Sequence, residues 1–517
     1  MNIATLDRSI VKAAQRNSST LLLVVPPQRG LLEGFVNGLT SIANYIALHA
    51  PDIEVRLLDF GRLNAEQMSD AVALALSESR TKTFVGITGT TACYQSMLMT
   101  ARAFKRHDPA TIVVLGGHHV TSQDDVVLRH HGDIVDYVVR GEGEAAVVSL
   151  VRHHPDTDRI PNISFVRDGA TRRTHEAELL GQADLDQLSP TLQGKDGRHR
   201  ENDPSVPGKF DRVTYVSARG CPLACAFCVV RASAIRTKTI DAVIADLRHL
   251  IVDHGYHAIA IEDNFFAHQR KRTLALCAAI EGLRKEHPFD WDCQTRVESM
   301  RDPEVARAMA RAGCVAAYLG VESLVPHQLA NLNKSARPDR YLQTLETLTI
   351  PTMLDAGIGI YINLQLGLPL ESSKDRALTI QTLSRLGRMA HRSNRTITIF
   401  PQLAVLYPGT PHFEIALEKE QFGPLHADVF EAFTEWEAKE EPILNYLGEH
   451  FAHGVGGIPL GLLDRDRLKD GKFQICPNAI ADVSTQLSRM DELAGIDRFK
   501  YGRYLSRAAK SEVLARA

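Results

Sequence analysis

The residues with the clearest chemical signature are three cysteines that stand close together, Cys221, Cys225 and Cys228. A loop this short can aim three thiolates at one small object, and thiolates of this kind hold iron–sulfur clusters. A [4Fe–4S] cluster with three protein ligands keeps one iron open, where a substrate or cofactor can bind. Structural zinc normally closes with four ligands, usually as two separated pairs, and no second Cys pair follows this loop. The spacing therefore predicts an iron–sulfur cluster with one open iron.

The spacing Cys-x3-Cys-x2-Cys follows a strand-like run and places Phe227 just before the last cysteine. This pattern resembles the signature of the radical S-adenosylmethionine (SAM) enzymes. The resemblance implies that the open iron chelates the amino and carboxylate groups of SAM. It also implies that one electron from the cluster cleaves SAM to methionine and a 5′-deoxyadenosyl radical. The scaffold that it implies is a partial (β/α)6 barrel.

Six apolar runs of strand length alternate with helical periodicity between residues 211 and 415, which predicts six βα units of a parallel barrel open at one side. The chemistry of such barrels lies at the C-terminal ends of the strands. Polar residues lie at these ends, and the resemblance implies that they bind SAM, with a guanidinium suited to its carboxylate. The SAM-binding residues that we expect are Phe227, Glu262, Asp263, Asn264, Gln294, Arg296, Glu322, Ser323 and Gln365. Each alone would also fit a capped turn or a surface ion pair, so the prediction depends on their agreement on one rim.

Three further polar residues at the ends of strands five and six do not belong to the cluster motif: Asn363, Gln402 and Tyr407. They could shape a substrate pocket. They could equally satisfy buried backbone groups, because buried polar side chains usually have structural partners.

Residues 1–155 show five apolar runs of strand length that alternate with helical spacing, beginning with the continuous run Thr20–Val25. This alternation predicts a doubly wound parallel sheet. Ligands of such sheets bind beyond the carboxyl ends of the strands, where glycines let a ligand approach the backbone closely. No G-x-G-x-x-G follows the first strand, which argues against a standard dinucleotide site.

The turns after strands one, four and five of this sheet resemble those of the cobalamin (B12)-binding domain found ahead of many radical SAM domains. The resemblance implies that cobalamin contacts Pro26, Pro27, Thr88, Gly89, Thr90, Gly116, Gly117, His118, Gly141 and Glu142. The D-x-H-x-x-G motif, whose histidine ligates cobalt from below in cobalamin mutases, is absent after strand one. His118 and His119 are candidates for that lower ligand, although a histidine in a turn is more often a plain polar residue. A vestigial pocket, or one that holds another ligand, stays open as an alternative.

Two other segments complete the predicted organisation. Residues 156–210 are interpreted as a linker with a small hairpin, because glycine, proline and charged residues replace periodicity there. Residues 416–517 are interpreted as a mostly helical C-terminal domain, in which the aromatic residues at helical spacing indicate core packing. The predicted fold is therefore α/β in its first two domains, with a helical extension.

The bulk composition excludes some classes of function. A net charge of -3 gives no electrostatic case for a nucleic-acid or membrane partner. No apolar run approaches the ~20 residues that span a bilayer, and the N-terminus lacks the features of a signal peptide. The five cysteines outside the motif are scattered, which indicates buried, reduced thiols. We therefore expect a cytoplasmic protein.

Three functional hypotheses follow. The first is a cobalamin-dependent radical SAM C-methyltransferase that acts on a small metabolite or natural-product intermediate, although a peptide stays open as the substrate. The second is a radical SAM enzyme that closes, contracts or rearranges a ring, with or without cobalamin. The third is a sensor of SAM or cobalamin, which the complete Cys triplet disfavours because a binding module does not need an open iron. As partners, the first two imply a small-molecule substrate and an external electron donor of the flavodoxin or ferredoxin kind, with no nucleic acid or membrane.

Overall fold

The computed structural model describes residues 9–11, 19–27, 37–61, 63–79, 82–191, 212–366, 368, 373–395, 397–403, 407–418 and 499–501. Within these ranges the chain forms two large sheets, each with its own helices and hydrophobic core. None of the helices described is long and apolar enough to cross a membrane.

The first sheet has eight strands in the order β1-β3-β2-β4-β5-β6-β7-β8. Their bounds are β1 Ser9–Val11, β2 Thr20–Val25, β3 Glu54–Asp59, β4 Thr83–Thr88, β5 Ile112–Gly116, β6 Tyr137–Val139, β7 Ile163–Arg167 and β8 Ala170–Arg173. The strands from β3 to β6 pair in parallel, whereas β1 and the β7–β8 hairpin join the two edges antiparallel. The doubly wound sheet predicted from the sequence is confirmed.

Both faces of this sheet are buried, because successive residues of a strand point to opposite sides. Leu22 and Val24 of β2 belong to one hydrophobic core, and Leu21 and Leu23 belong to the other. This double burial explains the continuous apolar run that the sequence shows. The helices of this part are α1 Asn37–His49, α2 Ala65–Ser77, α3 Tyr94–His107, α4 His118–Ser122, α5 Asp124–His131, α6 Glu144–His153 and α7 Gln182–Gln187.

The predicted hairpin is present, and it extends the first sheet beyond residue 155 rather than standing apart from it. Its strand β7 pairs with β6, with Ser164 opposite Val138. The buried carboxylate of Asp124 in α5 accepts a hydrogen bond from Ser164 Oγ (2.5 Å) and two from Arg173 (2.6 and 2.7 Å). The part of the linker between residues 192 and 211 lies outside the described residues.

The second sheet has seven parallel strands in the order β17-β16-β15-β14-β13-β12-β9. They are β9 Arg212–Tyr215, β12 Ala258–Ile261, β13 Asp290–Thr295, β14 Cys314–Glu322, β15 Gly359–Leu366, β16 Ile397–Leu403 and β17 Phe499–Tyr501. The edge strands β9 and β17 do not pair with each other, so the barrel is open as predicted. The seventh strand, β17, lies in a segment for which the sequence predicts helices.

A two-stranded ribbon follows β9, formed by β10 Ala218–Arg219 and β11 Arg236–Thr237. The helices of the barrel are α8 Ile240–Arg248, α9 Arg270–Glu286, α10 Val297–Met300, α11 Pro303–Arg311, α12 Pro326–Asn331, α13 Pro338–Thr344, α14 Ile350–Ala356, α15 Ser373–Arg392 and α16 Pro411–Glu418. Single π-helical turns continue α8 at His249–Asp253 and α13 at Leu345–Thr349. Asp302 caps α11 by accepting hydrogen bonds from the amides of Glu304 (2.9 Å) and Val305 (3.4 Å). The helices predicted after residue 418 lie outside the described residues.

Candidate active site

The loop that carries the three cysteines is closed at its base by the β10–β11 ribbon. Arg219 in β10 and Arg236 in β11 stand directly opposite each other, and the cysteines lie between them in sequence. Gly220 leaves the ribbon with φ +87°, and a Cβ there would lie 2.1 Å from the carbonyl oxygen of Ala234. Only glycine fits such a close, left-handed turn, which explains its place before the first cysteine.

Hydrogen bonds to the backbone hold the loop in shape. The hydroxyl of Ser233 accepts from the amide of Cys221 (2.8 Å), and the amide of Ser233 donates back to the carbonyl of Cys221 (2.8 Å). From the other side of the loop, Asn333 Nδ2 donates to the carbonyl of Ala224 (2.8 Å). The amide of His412, in α16, donates to the carbonyl of Ala226 (3.1 Å). The loop is thus fixed by segments that lie far apart in the sequence.

The three cysteines are buried or half-buried, and cationic side chains act on two of them. Cys225 is buried, and Arg296 Nη1 donates to its sulfur at 3.8 Å. Burial raises the pKa of the Cys228 thiol, and the neighbouring Cys225 and Cys221 add to the rise, whereas the ammonium of Lys334 opposes it. The Cys228 thiol thus resists deprotonation on its own, which fits a site where a bound metal centre would deprotonate it.

Three cysteine thiolates are a donor set that suits an iron–sulfur cluster with one open iron. Among the residues that the structure describes, no three His, Cys, Asp or Glu side chains form a single-ion metal site. A cubane cluster places its thiolate ligands on separate irons, so its cysteines need not converge on one point. Cys221, Cys225 and Cys228 would hold such a cluster, and the fourth iron would face the polar rim described next.

One polar network at the rim surrounds a buried lysine. Lys334 Nζ lies 3.3 Å from Glu322 Oε1, and Gln365 Nε2 donates to Glu322 Oε2 at 3.0 Å. Glu322 itself has φ +71°, an unusual conformation for a non-glycine residue, which points to a constrained site. The same ammonium lies 5.9 Å from the centre of the Phe227 ring, which packs against Leu332. The structure thus brings together Phe227, Glu322 and Gln365.

The next rim residues pair with each other. Gln294 is exposed, and its Nε2 donates to Glu262 Oε2 at 2.6 Å. Arg296 is buried, and its fork binds the carboxylate of Glu298 at 3.0 and 3.2 Å. Burial opposes the charge of Arg296, but Glu298 outweighs it and raises the arginine pKa. The guanidinium therefore already has a carboxylate partner in this structure. Asn264 is exposed beside them.

Two of the predicted SAM-binding residues, Asp263 and Ser323, form hydrogen bonds with neighbouring parts of the barrel domain itself. The buried carboxylate of Asp263 accepts from the amide (2.6 Å) and hydroxyl (2.6 Å) of Ser217 and from the amide of Ala218 (2.9 Å). Burial raises the pKa of Asp263 to about 6, and these hydrogen bonds oppose the rise. Ser323 is buried as well, and its hydroxyl accepts from the amide of Val325 at 3.2 Å. Asp263 thus ties the end of β12 to the segment that leads into the cysteine loop.

The three candidate pocket residues lie on β15, on β16 and in the turn that begins at Tyr407. Asn363 is partly buried on β15, and Gln402 on β16 is opposite Gln365 in the strand register. Burial raises the pKa of Tyr407, and the charge of a Cys228 thiolate adds to that rise. The turn that begins at Tyr407 also approaches the first domain, since a Cβ at Gly409 would lie 2.6 Å from Ser122 Cβ.

The strand ends of the first sheet form a different kind of rim, made mostly of backbone. Pro26 and Pro27 follow β2, and the hydroxyl of Thr88 donates to the carbonyl of Gly116 at 3.4 Å. Gly117 has φ +109°, and a Cβ there would lie 2.3 Å from the carbonyl oxygen of Gly89. The turns Thr88–Thr90 and Gly116–His118 therefore pack backbone against backbone. Gly141 is open, since a Cβ there would meet no atom within 4 Å.

The two histidines of this rim have different environments. His119 is buried, with Nδ1 3.3 Å from Thr91 Oγ1 and its ring against Tyr94. His118 is exposed to solvent, although desolvation by surrounding protein lowers its pKa. The lowered pKa favours the neutral imidazole, which is the form that binds metals. Of the two candidate lower ligands, His118 is the one accessible from solvent.

Glu142 meets partners in the barrel domain. Arg236 binds it with both Nη atoms, at 2.5 and 3.0 Å, and Arg219 Nη1 lies at 3.3 Å. The two arginines, together with Lys334 and Asn333, were not singled out from the sequence. The position of Arg219 directly before Gly220 was the one available signal. Lys334 follows an ordinary helix end and carried no motif.

Comparison with known proteins matches both parts of this architecture to described families. The B12 binding domain family matches residues 32–151, and the radical SAM superfamily matches residues 215–362. These matches confirm the cofactors predicted from the sequence, a [4Fe–4S] cluster, SAM and cobalamin.

Individual relatives are distant. An uncharacterised methyltransferase of Pyrococcus horikoshii is 26% identical over 414 residues, which cover 77% of this chain and 83% of that protein. The anaerobic magnesium-protoporphyrin IX monomethyl ester cyclase of Rubrivivax gelatinosus is 24% identical over 322 residues, or 60% of this chain and 54% of the cyclase.

Among solved structures, the radical SAM methyltransferase TsrM from Kitasatospora setae, with cobalamin and a [4Fe–4S] cluster bound, has the same fold. It is 18% identical, with a TM-score of 0.59 over 79% of this chain and 76% of that one. The chain therefore contains a B12-binding domain at residues 32–151 followed by a radical SAM domain at residues 215–362.

Proposed function

We propose that the protein is a cobalamin-dependent radical SAM enzyme that transfers a methyl group to a carbon atom of a small metabolite or natural-product intermediate. The observation that carries this proposal is the contact between the two domains. The turn that follows β6 in the first sheet is hydrogen-bonded to the base of the cysteine loop in the second. A cofactor at the strand ends of the first sheet would therefore lie near a cluster bound in the cysteine loop.

The residues of the chain supply binding and order rather than the chemistry itself, since such cofactors carry the difficult steps. When bound, the cluster and SAM supply a carbon radical, and cobalamin supplies the methyl group. Phe227, Glu322 and Gln365, with Lys334, would position SAM beside the open iron. Tyr407, whose pKa a Cys228 thiolate would raise, would form a wall of the substrate pocket together with Asn363.

The proposed substrate is a small molecule. The sequence is close to electrically neutral overall, with a net charge of -3, so it offers no general attraction for a polyanion. Reduction of the cluster requires an external donor, and a flavodoxin or ferredoxin is the class of partner that we propose. Because both cofactors work under reducing conditions, we place the protein in the cytoplasm.

A ring-forming reaction is the second candidate, and the relative named as a cyclase is the observation that favours it. The two candidates differ in whether the SAM methyl group must pass to cobalamin. A methyltransferase has to replace the methyl group that it donates, whereas a cyclase does not.

The first experiment tests radical initiation. Anaerobically reconstituted protein should show the broad absorbance of an iron–sulfur cluster near ~400 nm and should release 5′-deoxyadenosine from SAM after reduction. Cys221→Ala should lose both signals, whereas Cys277→Ala, which removes a thiol buried in the barrel core, should keep them. Equal 5′-deoxyadenosine release by the wild type and Cys221→Ala would contradict the assignment as a radical SAM enzyme.

The second experiment separates the two candidates. Protein loaded with reduced cobalamin and SAM carrying a labelled methyl group should form labelled methylcobalamin, detected by mass spectrometry. If 5′-deoxyadenosine is released but the label never reaches cobalamin, the methyltransferase proposal is wrong and the ring-forming candidate stands.

A further inference from the structure

A cluster of four charged side chains joins the two domains at the base of the cysteine loop. Two of them, Arg219 and Arg236, occupy opposite positions of the β10–β11 ribbon. Of the other two, Glu142 lies in the turn between β6 and α6 of the first domain, and Glu144 is the first residue of α6. Because the ribbon closes the loop and the turn ends a strand, the cluster connects the two rims where cofactors would lie.

Glu142 is bound by both arginines. Arg236 holds it with two parallel hydrogen bonds, Nη2 to Oε1 at 2.5 Å and Nη1 to Oε2 at 3.0 Å. Arg219 Nη1 approaches the same Oε2 at 3.3 Å. Paired hydrogen bonds between a guanidinium and a carboxylate restrict orientation as well as distance. The side chains are mostly shielded from water, with 16% of Arg236 and 24% of Glu142 exposed, so solvent screens the pair only in part.

Glu144 is the more deeply buried of the two carboxylates in this cluster. Its side chain is 5% exposed, and its Oε1 accepts from Arg219 Nη2 (2.9 Å) and from Ser41 Oγ (2.6 Å). Arg219 Nη2 also donates to Ser41 Oγ at 2.7 Å, which closes a triangle of hydrogen bonds. Ser41 lies on α1 and Glu144 on α6, so two helices of the first domain bind Arg219 at the base of the cysteine loop. Removal of one partner would leave a buried charge without compensation.

We propose that Glu142 and Glu144, held by Arg236 and Arg219, are positioning residues that fix the cysteine loop relative to the strand ends of the first sheet. They thereby set the spacing between the cluster and cobalamin, and this inference rests on the proposed function only for the presence of both cofactors. Both oxygens of Glu142 are used in this contact. The residue therefore acts through the arginines, and its contact with cobalamin stays a prediction.

The first test needs no cofactor. Glu142→Gln removes one charge and half of the paired hydrogen bonds, so amide hydrogen exchange in residues 218–237 should become about tenfold faster even though the substitution is in the other domain. The matched control is Glu346→Gln, which weakens another carboxylate that accepts two hydrogen bonds from one arginine, here from Nε (2.9 Å) and Nη2 (2.8 Å) of Arg385 inside the barrel domain. The control should leave residues 218–237 unchanged. Faster exchange confined to residues 141–153 in Glu142→Gln would overturn the proposal.

The second test measures spacing in the loaded protein. Pulsed electron paramagnetic resonance between cobalt(II) cobalamin and the reduced cluster should give one narrow distance distribution in the wild type. The distribution should broaden in Arg236→Met and narrow again in Arg236→Lys, which restores the charge without the fork. An unchanged distribution in Arg236→Met would overturn the proposal. Absence of cluster or cobalamin signals in the wild type would instead contradict the proposed function, and the exchange experiment would still decide the inference.

Discussion

The strand ends of the two sheets are built in different ways. At the barrel rim, side chains bind one another: Glu322 is shared by Lys334 and Gln365, and Gln294 binds Glu262. At the rim of the first sheet, glycine backbones lie against each other, as Gly117 does against Gly89.

This difference determines what each rim reveals about its ligand. Side chains carry chemical identity, so cysteines, carboxylates and cations at the barrel rim indicate a cluster and a charged cofactor. Glycines indicate only the shape of a ligand, because they let a flat ligand approach the backbone but have no side chain that indicates its chemistry. The barrel rim should therefore be sensitive to loss of charge and the first rim to added volume.

The largest effect is expected from Lys334→Met. This substitution leaves the Glu322 carboxylate beside the cysteine loop without its cation, and loss of one partner of a buried pair costs several kcal/mol. We expect 5′-deoxyadenosine release by the reconstituted protein to fall about a hundredfold, with partial recovery in Lys334→Arg.

The control for this variant is Lys374→Met, which removes an exposed lysine from α15. It should release 5′-deoxyadenosine at the wild-type rate. If Lys334→Met retained full activity, the charge network at the barrel rim would have no role in SAM cleavage.

A smaller effect is expected from Gly117→Ala at the other rim. The residue has φ +109°, and its Cβ would meet the Gly89 carbonyl at 2.3 Å, so the two turns must separate. With ψ 172° this conformation is essentially restricted to glycine and costs an L-residue about 1–3 kcal/mol before the clash is counted, so cobalamin should bind about tenfold more weakly. Equilibrium titration with cobalamin, followed by absorbance, measures the change.

The matched control is Gly282→Ala, where a Cβ meets nothing within 4 Å and the helix α9 favours alanine. Release of 5′-deoxyadenosine should be unaffected in both variants, since neither touches the cysteine loop. If Gly117→Ala bound cobalamin as tightly as the wild type, the first rim would not be the cobalamin site.

The sequence predicts those parts of the fold that depend on local patterns. The apolar run Thr20–Val25 becomes a strand with the same bounds, because both of its faces are buried. In the barrel, the apolar run Ala258–Ile261 likewise forms a strand. The cysteine spacing is equally local, so its position at the end of β9 follows from the order of the strands.

What the sequence does not predict are contacts between distant segments. Glu142 and Arg236 are 94 residues apart, and only the packing of two domains makes them partners. Lys334 carries no motif, and its role depends on the strand that presents Glu322. Asp263 stands at a strand end as predicted, but its carboxylate turns to the amides of Ser217 and Ala218. A residue's position in a rim therefore does not fix the direction of its side chain.

The smallest effect is expected at Asp263, and it is an effect on stability. Burial raises the carboxyl pKa from 3.8 to about 6, so the folded state binds more protons than the unfolded state between these values. The stability that this proton contributes is fully present below about pH 4 and is lost as the pH rises through about 6. From pH 5 to pH 7 the free energy of unfolding should therefore fall by about 1 kcal/mol.

Asp263→Asn cannot titrate, so its unfolding free energy should lack this decline, while its amide oxygen can still accept from the amides of Ser217 and Ala218. Urea denaturation of the cofactor-free protein at a series of pH values, followed by tryptophan fluorescence, compares the two slopes. A parallel pH dependence in both proteins would show that the Asp263 carboxyl titrates normally. Asp263 would then behave like an accessible carboxyl at a ligand-binding rim. The side chains of the barrel rim would be bound to the protein itself less completely than the hydrogen bonds of Asp263 indicate.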